Sequence, residues 1–154
     1  MAAYFFDSSA LAKRYINELG SAWVRGVTAP ASGNNIHALQ LVELEVVSAI
    51  ARRRKGGSLT AAAAATAIAR LSHEVRHDYI LLGISDPLIV EALMLADRHE
   101  LRAYDALHLA AAIDLNRSRA AWAQPALTLV SADLELNAAA IANGFVVEDP
   151  NAHP

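Results

Sequence analysis

Apolar residues in this chain come in short unbroken runs and in helical stripes, and the two alternate from the start. Residues 2–6, AAYFF, form a run that ends at Asp7, and Ser8-Ser9 then lead into ALAKRYI at helical spacing. That order predicts a short strand capped into a helix. A second helix is expected from Ser21, after Gly20, with Trp23, Val24 and Val27 turned inward. PASGNN at 30–35 is turn chemistry. Helical spacing returns from Leu39 to Lys55 and stops at Gly56-Gly57. Ser58 or Thr60 can cap the next helix, alanine-rich through Leu71, and alanine is the best helix former. YILLGI at 79–84 reads as a buried strand, and Ser85-Asp86-Pro87 opens a helix with proline where the first turn tolerates it. That helix runs to about His99 and another from about Ala103 to about Arg117. ALTLVS at 126–131 is a strand, a helix spans roughly 134–142 up to Asn143-Gly144, and FVVE at 145–148 is the last strand.

Strands that are continuous apolar runs, alternating with helices, indicate an α/β fold whose parallel sheet is covered on both faces. With 154 residues and neither internal repeat nor linker, one domain over 1–150 is expected, followed by a tail at 151–154. The chain has no cysteine, which rules out a disulfide framework and a thiolate zinc site and is compatible with a reducing, cytoplasmic setting. No apolar run is long enough to span a membrane, and no basic flank with a long apolar stretch opens the chain. A net charge of −3 argues against holding nucleic acid by charge alone. It leaves room for an enzyme with acids in one site and arginines around it.

Sites in open α/β sheets lie beyond the carboxyl ends of the strands. Asp7 and Asp133 follow two of the predicted strands. At about 100° per residue, Glu45 shares a stripe with Leu41, Ser48, Ala49 and Arg52, while Glu43 points away. Asp105 shares one with Leu101, His108, Leu109 and Ala112, and Asp114 falls on the opposite side. Carboxylates on apolar stripes are costly unless paired or bound to a cation, and several together repel unless a divalent metal keeps them ionised. An all-oxygen set suits Mg²⁺ or Mn²⁺, and the chemistry that follows is phosphodiester hydrolysis.

Each acid alone has a plainer explanation. Asp7 and Asp133 can cap the helices after them, Glu45 can pair with Arg52 or Arg53, and Asp105 suits a helix N-terminus. Their joint arrangement favours the metal reading. His108 reads as a core histidine, His73, His77 and His99 as polar-face residues, and His153 as part of a frayed tail. Arg52-Arg53-Arg54-Lys55 suits a helix C-terminus. Arg52 shares the Glu45 stripe and can also meet RNA phosphate, and Lys13 and Arg14 carry the same ambiguity. Trp23 and Trp122 read as packing or interface residues.

YFFDSSALAKRY, ELEVVSAIARR, LRAYDALHLAAA and LVSADLELNAAAIANGF, in that order, resemble the PIN-domain ribonucleases of the VapC toxin type over nearly the whole chain. The resemblance implies a three-layer α/β/α sandwich around a short, mostly parallel sheet. It carries the family's metal-binding acids to Asp7, Glu45, Asp105 and Asp133, and supporting hydroxyls to Ser9 and Ser131. HALQL, upstream of Glu45, lacks the Ser and Thr that relatives often show there, which keeps Glu43 as a competitor. The resemblance further implies Mg²⁺ or Mn²⁺, an RNA substrate such as transfer or ribosomal RNA, a small antitoxin partner and a homodimer. Two rival readings stand beside it. One is an RNA-processing or DNA nuclease without an antitoxin, and the other a non-enzymatic module that captures a basic peptide in an acidic groove. A receiver-like phosphoacceptor needs a lysine late in the chain, and none occurs after Lys55.

Overall fold

A computed structural model describes residues 1–153. Its strands are β1 (Ala3–Phe6), β2 (Asn35–Leu39), β3 (Tyr79–Leu82), β4 (Thr128–Val130) and β5 (Val146–Glu148). They form one parallel sheet in the order β3-β2-β1-β4-β5. The helices are α1 (Ser8–Leu11), α2 (Ser21–Val27), α3 (Val42–Lys55), α4 (Ala61–His77), α5 (Asp86–His99), α6 (Ala103–Ala121) and α7 (Leu134–Ala142). Successive strand residues face opposite sides, so Phe6 packs among α1–α4 while Phe5 packs among α5–α7. The result is the expected α/β/α sandwich. Thr60 and Ser85 cap α4 and α5 through their hydroxyls.

Strand β2 corrects the sequence reading, which left 36–38 unassigned and placed Leu39 in a helix. The run is only NIHAL, and a histidine interrupts it; helix α3 begins instead at Val42. His37 lies opposite Phe5 and Ile80, only 6% exposed, with no partner for either ring nitrogen among the described residues. Burial, and then the charge of Arg119, lower its pKa from the ordinary 6.5. The fold therefore favours neutral His37, and the stability this contributes is complete above pH 6.5 and lost as pH falls toward the depressed value. His37→Leu is expected to flatten the fall in melting temperature between about pH 7 and 5. Parallel wild-type and variant melting curves across that window would sink the idea.

Arg14 is not a surface cation. Its guanidinium grips Glu74 through Nε at 2.6 Å and Nη2 at 2.8 Å, and Nη1 donates to Thr28 Oγ1 at 2.7 Å. Tyr15, Tyr79 and Arg70 also donate to that carboxylate. Burial pushes Glu74 up, but the bonds from Arg14, Tyr15 and Arg70 outweigh it and hold the pKa at about 2.

The expected frayed tail is corrected too. Residues Pro150–Ala152 form a 3-10 turn with Pro150 buried, and the ring of His153 stacks on Trp23 at 4.4 Å. Gly20 has φ +81°, and a Cβ there would lie 2.1 Å from the Pro150 carbonyl oxygen, so only glycine fits. Pro154 lies outside the described residues. No helix is long and apolar enough to cross a membrane among the described residues.

Candidate active site

Parallel strands deliver their carboxyl ends to one edge, where a cleft of about 890 Å³ opens. Asp7 enters it directly after β1 and Asp133 just after β4, while Glu45 and Asp105 come from the first turns of α3 and α6. Leu41, Ser48, Ala49 and Arg52 line the same cleft, as one face of α3 requires. Glu43 turns to α4, where it accepts from Ser72 Oγ at 2.6 Å, and does not line the cleft.

The four acids differ in how they are held. Asp7 is 2% exposed; its Oδ1 accepts from Ala10 N–H at 2.9 Å, its Oδ2 from Ser131 Oγ at 2.9 Å, and the Ser9 hydroxyl reaches both oxygens at 2.8 Å. Ser9 in turn accepts from Ala132 N–H and Ser131 from Asp133 N–H, so the two serines tie β1 to the turn after β4. Burial raises the Asp7 pKa, and His108, Ala10, Ser9 and Ser131 pull against it. Asp133 caps α7, its Oδ1 accepting from Glu135 and Leu136 N–H. The capping explanations for Asp7 and Asp133 hold, and both acids still face the cleft.

Glu45 pairs with His108 instead of Arg52 or Arg53, Oε2 lying 2.6 Å from Nε2. Burial opposes protonation of His108, but that contact and the charges of Glu45, Asp7 and Asp105 raise its pKa. Asp105 differs from the rest, for no hydrogen-bond donor reaches it among the described residues. Burial, then the charges of Asp133 and Asp7, push it up to about 6, against partial relief from His108 and Arg102. The cleft thus holds a half-buried carboxylate repelled by its neighbours.

Cations rim the acids. Arg52 and Arg102 line the cleft and have no ion-pair partner among the described residues, whereas Arg53 donates to Glu18 at 2.6 Å. Lys13 also lines it, but its ammonium is engaged by Leu19 O at 3.0 Å, Asn151 Oδ1 at 2.9 Å and Glu18 at 3.2 Å. Arg14 is absent from the cleft, its guanidinium spent on Glu74.

Arg102 and Tyr104 line the cleft without having been expected there, while His108 is the buried core histidine the stripe predicts and in addition holds Glu45. The His108 signal was present, a histidine three residues after an acid on one stripe. Arg102 and the exposed Tyr104 lie beside Asp105 and gave no periodic signal.

The donor set, four carboxylates with serine support, fits a hard divalent cation. Among the described residues, however, no three His, Cys, Asp or Glu side chains form a ready-made metal cage.

Sheet order, layers and cleft together define a PIN-like α/β/α fold. No family model and no curated protein matches the chain. Among solved structures it is similar to PAE2754 from Pyrobaculum aerophilum, with 20% identity and a TM-score of 0.65 over 98% of this chain and 85% of that one. It is also similar to VapBC2 from Rickettsia felis, solved bound to a DNA fragment from their promoter. There the identity is 13% and the TM-score 0.61, over 96% of this chain and 98% of that one.

Proposed function

We propose that the protein is a Mg²⁺- or Mn²⁺-dependent endoribonuclease that hydrolyses RNA phosphodiester bonds as the toxin of a toxin–antitoxin pair. The observation that carries this is Asp105, a half-buried carboxylate with no hydrogen-bond donor among the described residues and repelled by Asp7 and Asp133, whose ionised form a bound cation would stabilise. Mg²⁺ keeps several waters and takes one or two carboxylates with substrate phosphate, so it needs no prebuilt cage.

Asp7, Glu45, Asp105 and Asp133 would hold the ion. When bound, such an ion lowers the pKa of water and stabilises charge on the phosphate and the leaving oxygen. Ser9 and Ser131 fix the Asp7 carboxylate, and Arg52 and Arg102, without ion-pair partners among the described residues, offer guanidinium groups to backbone phosphates. Likeness to VapBC2 supports a partner of the antitoxin kind. Ile89, Val90, Leu93 and Met94 form an exposed apolar strip on α5, which supports a homodimer. A cytoplasmic setting is part of this reading, and a chain without cysteine is compatible with it.

The test is incubation of total RNA with purified protein and Mg²⁺ or Mn²⁺, beside EDTA and Asp7→Ala. Discrete fragments that vanish in both controls are expected. An intact RNA pool, with a basic peptide still bound in EDTA, would favour the acidic-groove binding module.

A further inference from the structure

Glu45 and His108 stand on helices of opposite layers, since α3 packs on one face of the sheet and α6 on the other. Their contact joins the two layers at the cleft, which Glu45 lines and His108 does not. His108 is 1% exposed, and its ring meets Phe5 edge-on at 74°. Its Nδ1 is buried with no partner among the described residues, and Nε2 faces a carboxylate that accepts, so Nε2 carries a proton and donates it to Glu45.

We propose, resting on the nuclease reading, that His108 is a positioning residue whose Nε2–H holds Glu45 Oε2 and leaves Oε1 as the oxygen Glu45 offers to the cation. This divides the acids by the oxygens the protein leaves free. Both Asp7 oxygens accept protein bonds, as do one of Glu45 and one of Asp133, while Asp105 accepts none among the described residues. Asp7 is thereby an anchored ligand and Asp105 an unsupported one. Glu45 stays in place only while His108 holds it. Partners that orient a metal's ligands in this way commonly account for about 10- to 100-fold in affinity.

The experiment compares wild type, His108→Leu, His108→Gln and Asp105→Asn. For each, Mn²⁺ binding is read by electron paramagnetic resonance of the free ion, melting temperature without metal, and cleavage kinetics. His108→Leu is expected to weaken Mn²⁺ binding about 10-fold or more and to lower kcat more than it changes KM. His108→Gln carries an amide N–H at about the reach of Nε2 and is expected to restore most of both losses. Unchanged Mn²⁺ affinity in His108→Leu, with only a lower melting temperature, would overturn the inference and leave the nuclease reading intact. A wild type with no Mn²⁺ affinity, identical to Asp105→Asn, would overturn the nuclease reading itself and this inference with it. Should His108→Leu not fold, His108→Gln against His108→Asn makes the same comparison, because the shorter amide does not reach Glu45.

Discussion

Asp105→Asn is expected to cut RNA cleavage by about 1000-fold, the loss of roughly 4 kcal/mol of charge stabilisation that a displaced catalytic cation entails. It is also expected to raise the melting temperature of the metal-free protein at neutral pH. The carboxyl of Asp105 is held near pH 6 in the fold against an ordinary 3.8, so the fold disfavours its charged form. A raised carboxyl contributes stability below pH 3.8 that is lost as pH rises through about 6, and at pH 7.5 the ionised group is a net burden. Asparagine keeps the shape and removes the repulsion with Asp7 and Asp133. Mg²⁺ should then stabilise wild type and leave Asp105→Asn unmoved. Cleavage by Asp105→Asn at the wild-type rate would remove this residue from the site.

The largest effect on folding is expected from Glu74→Leu. It strips the partner from the buried Arg14 guanidinium and two tyrosine hydroxyls. Breaking a buried ion pair by removing one member costs about 3–5 kcal/mol. In a domain of this size that corresponds to a melting temperature lower by about 6–20 °C. Arg14→Met combined with Glu74→Leu should recover much of the loss, because apolar side chains of similar volume often replace such a pair well. The carboxyl of Glu74 is depressed from 4.5 to about 2, so its contribution is present above pH 4.5 and disappears toward pH 2. Urea melts at pH 7 and pH 3 measure both effects. Equal stability of wild type and Glu74→Leu at pH 7 would show that the network is idle.

Most of the fold was legible because its strands are apolar on both faces and its helices carry strong stops. Gly56-Gly57 ends α3, Ser85 starts α5, and Asn143-Gly144 closes α7 where the residues indicate. Strand β2 was not legible, since five residues with a histidine in the middle have no clear period. The convergence of the acids was legible in part. Strand ends placed Asp7 and Asp133, and helical stripes turned Glu45 and Asp105 inward. What no local pattern contains is pairing across layers. The Arg14–Glu74 fork and the Glu45–His108 contact join residues 60 and 63 positions apart. For that reason the sequence pattern leaves Arg14 ambiguous between a solvated cation and a phosphate contact, and it places His108 in the core, where it is buried, without showing its bond to Glu45.

Strand β1 lies at the middle of the sheet, with β2 on one side and β4 on the other. During synthesis β1 leaves the ribosome well before β4 and waits for it, and the bond from Ser131 to Asp7 spans 124 residues. At ordinary translation speeds that wait is about 6–25 s. A chain broken off before Thr128 carries three of the four acids but lacks Ser131, one of the two serines that steady the first, and the strand that brings in the last. Any activity of this cleft thus requires the chain through Asp133, and termination before β4 leaves the cleft incomplete.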